Sequence, residues 1–232
     1  MERNEYHGLG DYKPNAEISS DLRRNTINKT PDDALNDWYA TYYDAEFFMK
    51  CDGPEYLRNY YGTKNRYRVR FDSWFRDFDL DGNIHLDLGF STGKSLFWLS
   101  QIYPNLKIHT IDFNENCKNI FEPLQELIPQ IVDISIQDAS KLDFPQELFD
   151  SITALDFYEH TPSEVMRKSL ELNFELLREG GMMFIYVGKT PNEEHINLIP
   201  DAQTIALCRD IGFKFEQEKK ELLVFRKKSN KS

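Results

Sequence analysis

Short apolar runs alternate with longer segments of helical period along the chain from residue 84 onward. Strands are predicted over residues 84–88, 107–111, 131–136, 149–155 and 182–187. Helices are predicted over residues 94–102, 114–128 and 163–177, with Asn114 and Ser163 as N-caps and Gly180-Gly181 as a helix stop. Alternating strands and helices indicate parallel strands joined by right-handed crossovers.

The end of the chain departs from this alternation. After a helix over residues 201–211, strands are predicted over 213–217 and 221–226, joined by the charged turn 218–220. A three-residue turn makes these strands antiparallel. We therefore expect a doubly wound α/β fold, whose mostly parallel seven-stranded sheet closes with a C-terminal antiparallel hairpin.

The first 80 residues have a different pattern. They contain half of the aromatic residues, often in pairs such as Trp38-Tyr39 and Tyr42-Tyr43. Helices are predicted over 33–50 and 54–79, after an irregular segment over 1–30. The expected division is an aromatic-rich helical extension or lid over 1–80 and a binding domain over 81–232.

Charge and cysteine content narrow the functional classes. Lys and Arg number 28 against 39 Asp and Glu, a net charge of −11, which argues against nucleic acid and anionic membranes as partners. The basic residues Lys64, Arg66, Arg68 and Arg70 are expected to be solvated. Three scattered cysteines and no apolar segment of membrane-spanning length predict reduced thiols in a cytoplasmic protein. The oligomeric state stays open.

A glycine-containing segment, Leu86-Asp87-Leu88-Gly89-Phe90-Ser91-Thr92-Gly93-Lys94-Ser95, joins the first predicted strand to the first helix. The dinucleotide pattern G-x-G-x-x-G fails at Ser91 and Lys94. A P-loop would need glycine at residue 88, which is leucine, so a nucleotide hydrolase is a weak alternative.

This segment resembles the first motif of class I S-adenosylmethionine (SAM) methyltransferases, an acidic residue followed by G-x-G-x-G. Asp87, Gly89 and Gly93 match, and Ser91 replaces the central glycine. The resemblance extends from residue 84 to about 227, and Leu176 to Gly181 look like the family's entry to the fifth strand. It implies SAM as cofactor, bound by Asp87, Gly89, Phe90, Ser91, Gly93, Asp112, Phe113, Asp138, Ala139 and Asp156.

The resemblance also assigns roles to residues at the other strand ends. Asp112 would hold the ribose hydroxyls and Phe113 would lie against adenine. Asp138-Ala139 resembles the acidic motif that accepts a hydrogen bond from the adenine amino group.

An acid and histidine cluster follows the fourth strand. The spacing of Asp156, Glu159 and His160 resembles the E-x-x-[DE]-H metal motif of some SAM methyltransferases, and His195 lies on the loop after the fifth strand. Asp156, Glu159, His160 and His195 are therefore candidate ligands of a divalent ion such as Mg, Mn, Fe or Zn. In the metal-free alternative, Asp156 contacts SAM or caps a helix, while Glu159, His160 and His195 order the loop or supply a catalytic base. His85 and His109 are expected within the sheet.

These observations predict a biosynthetic SAM-dependent methyltransferase acting on a small-molecule acceptor, a hydroxyl of a sugar or natural-product intermediate. A small-molecule N-methyltransferase and a catalytically inactive SAM-binding subunit are the alternatives.

Overall fold

The computed structural model describes residues 65–91, 93–189 and 195–228. The strands in this part are β1 (Ile84–Leu88), β2 (Lys107–Asp112), β3 (Ile131–Ile136), β4 (Phe149–Leu155), β5 (Leu177–Tyr186), β6 (Phe213–Lys219) and β7 (Leu222–Lys227). Its α-helices are α1 (Asn65–Phe75), α2 (Lys94–Ile102), α3 (Phe121–Leu127), α4 (Ser163–Leu176) and α5 (Asp201–Ile211). Short 3-10 helices cover Glu115–Ile120 and Tyr158–His160.

The strands form a seven-stranded sheet in the order β3-β2-β1-β4-β5-β7-β6. Strands β1 to β5 are parallel, whereas β7 is antiparallel to both β5 and β6. The predicted α/β fold and its C-terminal hairpin are thereby confirmed. The strand order reverses between β1 and β4, and a ligand crevice is expected at such a switch point, outside the carboxyl ends of the strands.

Apolar side chains cover both faces of the sheet. One layer contains residues of α1 and α2, including Phe75 and Leu96, which pack with Phe184 of β5. The opposite layer includes Leu170 of α4 and Cys208 of α5. With both faces covered, the inner strands carry the near-continuous apolar runs from which they were predicted.

Helix α1 is the described part of the predicted N-terminal extension. Its Trp74 indole donates a hydrogen bond to the Lys220 carbonyl in the hairpin turn, 2.9 Å away. The helix therefore packs on the sheet. The predicted irregular segment 1–30, the helix over 33–50 and the first part of the helix over 54–79 lie outside the described residues.

The entry to β5 differs from the prediction. Helix α4 ends at Leu176, and its C-cap, Leu177, is already extended, so Gly180-Gly181 is not a helix stop. Gly180 has φ 75 and lies in β5, where the pairing with β4 shifts register between Phe149 and Ser151. A residue with a left-handed backbone conformation inside a strand forms a β-bulge. Glycine is common at β-bulges as well as at helix ends.

Three local details also differ. Helix α4 is preceded by Pro162 and has no side-chain cap, so Ser163 is not its N-cap. The segment after Asn114 begins as a 3-10 helix before α3. The hairpin turn is the two-residue Lys220-Glu221, with φ 50 and 71, and this backbone twist matches that of the strands it joins.

Two described cysteines, Cys117 and Cys208, are buried free thiols, as expected, whereas Cys51 lies outside the described residues. Within the described ranges, every helix is too short or too polar to cross a membrane.

Candidate cofactor and acceptor site

The backbone after β1 turns sharply at Gly89. Its φ is 76, and its N–H donates to the Ile111 carbonyl of β2 at 2.8 Å. A Cβ at this position would lie 2.5 Å from a ring carbon of Phe157. Glycine is therefore needed both for the turn and for the close approach of the loop after β4.

The loop continues through Ser91, with φ 48, to Gly93, with φ 83, at the start of α2. A Cβ on Gly93 would lie 2.4 Å from a methyl carbon of Leu124, so this glycine permits packing against α3. Gly93 is not among the residues that line the cavities described below, whereas Gly89, Phe90 and Ser91 are.

Asp87 lies beneath the loop rather than in a cavity wall. Its carboxyl is buried and accepts hydrogen bonds from the Thr153 hydroxyl at 2.6 Å and the Thr110 hydroxyl at 3.3 Å. Burial raises the pKa of Asp87 to about 7, although the hydrogen bond from Thr153 opposes the rise. The structure thus places Asp87 where it can fix the ends of β1, β2 and β4.

Asp112, at the end of β2, is the acid that contacts the loop directly. Its two carboxyl oxygens accept hydrogen bonds from the backbone N–H of Ser91 at 2.9 Å and of Asn114 at 3.0 Å. Burial raises the pKa of Asp112, and these backbone donors oppose the rise. Each carboxylate oxygen has a second lone pair, so the group can accept further hydrogen bonds from a ligand.

Two adjoining cavities open at this edge of the sheet. The glycine-loop cavity, about 230 Å³, is lined by residues that include Ser91, Asp112 and Asp156. The Asp138 cavity, about 380 Å³, is lined by residues that include Asp138 and Ala139. Four residues line both cavities: Phe113, Phe157, His160 and Thr161. The shared wall means that one elongated ligand can contact both cavities.

Asp138 is half-exposed in its cavity. One of its oxygens accepts from both the N–H and the hydroxyl of Ser140, each at 2.8 Å, and the other lies 3.2 Å from the Lys141 ammonium. Partial burial acts to raise its pKa, but these partners together lower it. Asp138 is therefore an ionised acceptor facing a partly apolar cavity.

Asp156 follows β4 in a left-handed backbone conformation, with φ 50, and its N–H donates to the Tyr186 carbonyl at 3.0 Å. This conformation is uncommon for residues other than glycine. Burial raises the pKa of its carboxyl, and the positive charge of Arg70 opposes the rise.

Glu159 is fully buried behind the cavity wall. One carboxyl oxygen accepts a hydrogen bond from the Gly188 N–H at 2.6 Å. Burial raises the pKa of Glu159 to about 8, and the nearby Asp156 carboxyl adds to the rise. A Cβ on Gly188 would lie 2.3 Å from that oxygen, so the contact requires glycine.

The two histidines meet edge to face, with ring centroids 4.8 Å apart. Potential ligand atoms of Glu159, His160 and His195 all lie within 4.8 Å of one another. Asp156 is outside this group, so the structure does not assemble the predicted four-residue metal set. Only His160 of these three lines the cavities, whereas Glu159 is buried and His195 is partly exposed outside them.

His85 and His109 lie within the sheet, as expected. His85 is buried, and its two ring nitrogens are 2.8 Å from the Ser151 hydroxyl and 2.9 Å from that of Thr153. Burial lowers the pKa of His85 to about 3.

Sequence reasoning missed the contribution of α1. Arg70 lines the glycine-loop cavity with its guanidinium over two aromatic rings, so the expectation that it is merely solvated is wrong. Trp74 and Trp98 also line this cavity. The pairing of Arg70 with an aromatic residue one helical turn later, Trp74, was the available sequence signal.

The segment that carries this site has a recognisable family pattern. Residues 86–181 match the sequence model of a family described as a methyltransferase domain. The chain therefore contains a methyltransferase domain. The matched segment starts within β1 and ends within β5, so it includes the glycine loop and the three acids at the ends of β2, β3 and β4. The methyltransferase assignment replaces the nucleotide-hydrolase alternative.

Solved structures share the fold of this methyltransferase. A proposed SAM-dependent methyltransferase from Methanococcus maripaludis superposes with a TM-score of 0.61 at 14% identity, over 82% of this chain and 95% of that chain. Phosphoethanolamine N-methyltransferase 2 of Haemonchus contortus, in complex with SAM, gives 0.57 at 17% identity, over 77% of this chain and 44% of that chain. The [4+2]-cyclase SpnF gives 0.55 at 19% identity, over 66% and 57%. No curated protein sequence matches this one.

Proposed function

We propose that this methyltransferase acts on a hydroxyl group of a small molecule, such as a sugar or a natural-product intermediate. The observation that carries the proposal is the position of His160, which lines both cavities. An imidazole in this wall can accept the proton of an attacking hydroxyl. An amine that is already unprotonated needs less assistance, so a base in the wall favours an oxygen acceptor.

The cofactor side of the proposal assigns SAM to the two adjoining cavities. Asp112 accepts hydrogen bonds from the ribose hydroxyls with the lone pairs left free by Ser91 and Asn114. Phe113 contacts adenine, and Asp138 accepts from its amino group. The support for this assignment is that these side chains line adjoining walls and that SAM is the cofactor of the family.

The acceptor hydroxyl loses its proton to His160 as its oxygen bonds to the methyl carbon. The SAM sulfonium supplies that methyl as an electrophile when the cofactor is bound, and the electron pair of the broken S–C bond stays on sulfur. The products are a methyl ether and S-adenosylhomocysteine. In this mechanism His195 and Glu159 are positioning residues, since the His195 ring packs against that of His160 and Glu159 fixes the Gly188 backbone.

A second candidate is a metal-assisted version of the same reaction. Glu159, His160 and His195 offer one carboxylate and two imidazoles within 4.8 Å, a mixture that suits several divalent ions. A bound ion would lower the pKa of an acceptor hydroxyl and orient it. Asp156 would then contact the cofactor or acceptor instead.

The proposed base is tested by His160→Gln, assayed with SAM and a panel of paired hydroxyl and amine acceptors. Loss of a general base is expected to reduce turnover of hydroxyl acceptors by about a hundredfold to ten-thousandfold. The affinity for S-adenosylhomocysteine should fall far less than turnover does, since His160 lines the cavities but in this proposal accepts a proton only from the acceptor. Turnover within tenfold of the wild type would contradict the assignment of His160.

Exhaustive chelation distinguishes the two candidates. Wild-type activity that survives chelation supports the metal-free base. Activity that is lost and restored by one added divalent ion supports the metal site.

A further inference from the structure

The end of the loop after β5, residues 195–200, turns apolar side chains outward and one polar side chain inward. Ile196 and Leu198 are 37% and 41% exposed, whereas Asn197 between them is only 6% exposed. A buried polar side chain between exposed apolar ones reverses the usual arrangement. Burying an amide is unfavourable unless its donor and acceptor groups are hydrogen-bonded. The inward position of Asn197 therefore indicates that its hydrogen bonds hold this part of the loop.

Asn197 makes the hydrogen bonds that its burial requires. Its Nδ2 donates to the Tyr158 carbonyl at 3.3 Å and lies 3.6 Å from the Met166 sulfur, and its Oδ1 accepts from the Ser163 hydroxyl at 3.0 Å. Its backbone N–H donates to the Glu159 carbonyl at 3.1 Å. One residue thus connects the loop to the 3-10 helix that contains Tyr158 and to the start of α4.

The partners of Asn197 also fix the orientation of its side-chain amide. A backbone carbonyl oxygen only accepts hydrogen bonds, so the NH2 group must face Tyr158. The Ser163 hydroxyl then donates to the amide oxygen on the other side. The position therefore uses both the donor and the acceptor of the amide. Leucine has a similar shape but offers neither.

The segments that Asn197 joins are those that carry the two histidines. His160 is the last residue of the 3-10 helix, and His195 lies two residues before Asn197. The centroids of their rings are 4.8 Å apart. Because the two rings come from different segments of the chain, their contact depends on how the loop lies against the 3-10 helix.

We propose that Asn197 is a positioning residue, which docks the loop after β5 so that the His195 ring lies against His160. Its effect on turnover rests on the proposed function, in which His160 is the base. The docking of the ring can be measured apart from turnover. Asn197 lines neither of the two cavities, so its substitution leaves the walls of the cofactor site intact.

Proton–carbon NMR spectra of protein labelled in its histidine rings measure the docking directly. The chain has five histidines, and the variants His195→Ala and His160→Gln assign the two ring signals. An aromatic ring shifts the signal of a ring that it contacts, so His195→Ala should move the His160 signal. Asn197→Leu should move the His160 signal in the same direction, because the loop is no longer held by the amide.

Turnover with SAM and the hydroxyl acceptor that the panel identifies is the second measurement. The kcat of Asn197→Leu should fall by about tenfold to a hundredfold, since displacing a catalytic group by about 1 Å is enough for such a loss. The affinity for S-adenosylhomocysteine should stay within about twofold, because Asn197 lies outside the cavity walls.

Ser163→Ala is a milder variant that covers the case in which Asn197→Leu is poorly folded, as judged by thermal unfolding. Ser163 is exposed, and its substitution removes one hydrogen bond to the Asn197 amide. We expect a smaller movement of the His160 signal and a fall in kcat of about fivefold or less.

Asn105→Leu is the matched control. Asn105 is exposed in the loop before β2, at the opposite edge of the sheet, and its Nδ2 donates to the Asp81 carboxyl at 2.8 Å. This variant loses an amide hydrogen bond of the same kind. It should leave the histidine signals, kcat and the affinity for S-adenosylhomocysteine unchanged.

A His160 signal that stays in place in folded Asn197→Leu and Ser163→Ala overturns the proposal, whatever happens to kcat. A moved signal with unchanged kcat also overturns it if His160→Gln is inactive. If His160→Gln is as active as the wild type, the assignment of the base fails instead. A moved signal in that case still supports the docking of the His195 ring by Asn197.

Discussion

Asp112 and Glu159 are both buried carboxyl groups at the carboxyl edge of the sheet, but they are held differently. Asp112 accepts hydrogen bonds from two backbone N–H groups: that of Ser91 in the glycine loop and that of Asn114, two residues further along the chain. Glu159 accepts one, from Gly188, and has the Asp156 carboxyl nearby, which helps to raise its pKa to about 8. Burial raises the pKa of both carboxyl groups, but the backbone donors of Ser91 and Asn114 oppose that rise at Asp112, whereas the Asp156 carboxyl adds to it at Glu159.

The difference matches the two tasks proposed for the site. A group that binds hydroxyls must present lone pairs, and backbone donors keep Asp112 oriented for that purpose. A group that supports a base must instead hold its neighbours in place, and Glu159 does so by fixing Gly188. We therefore expect a mutation of Asp112 to change the affinity for the cofactor. A mutation that disturbs Glu159 or the histidines is expected to change turnover instead.

The largest effect expected from this comparison is on cofactor affinity in Asp112→Ala. Losing hydrogen bonds to a charged group costs about 1.5–3 kcal/mol, so S-adenosylhomocysteine should bind about tenfold to a hundredfold more weakly. Calorimetry gives the affinity, and Asp133→Ala, on β3, serves as a surface control. An unchanged affinity would remove Asp112 from the ribose site.

A smaller effect is expected from Gly188→Ala. The new methyl group would lie 2.3 Å from the Glu159 oxygen and must displace that carboxylate. If Glu159 positions the histidines, kcat should fall by about tenfold because the base is misplaced, while S-adenosylhomocysteine affinity stays within twofold.

Gly82→Ala is a useful comparison for that variant, since no atom lies within 4 Å of the added Cβ. Its φ of 79 strains the backbone without touching the site. Equal kcat values for the two variants would show that the Glu159 contact does not matter to turnover.

The last effect concerns stability and its pH dependence at Asp87. Burial raises its pKa from 3.8 to about 7, so the folded state binds a proton that the unfolded state has released between these values. Stability from this group is fully present below pH 3.8 and is lost as pH rises through about 7. Asp87→Asn should remove that loss, which amounts to at most about 1.4 kcal/mol per pH unit.

Urea unfolding of both proteins at several pH values from 4 to 8 measures this change. Each protein gives a curve of unfolding free energy against pH. His85 and Glu159 titrate in both proteins, so the difference between the two curves reports the contribution of Asp87 alone. Parallel curves would show that Asp87 keeps an ordinary pKa in its threonine pocket.

The sequence could predict the parallel sheet and the acids Asp112, Asp138 and Asp156, because strand ends and their next residues are local features. It could not predict the contact between Glu159 and Gly188, which are 29 residues apart. The run of basic residues alone did not place Arg70, because such a run looks the same whether it faces water or two rings; the available signal was Trp74, one helical turn later. Gly180 was misassigned since glycine serves both helix ends and strand bulges.

The tryptophan side chains of the glycine-loop cavity can report ligand binding through their fluorescence. Two of the three tryptophans, Trp74 and Trp98, line the glycine-loop cavity. Their emission depends on the polarity of their surroundings, and a bound ligand replaces water beside both indoles. Intrinsic fluorescence should therefore follow ligand titration without any label, and Trp98→Phe would show how much of the response comes from each ring.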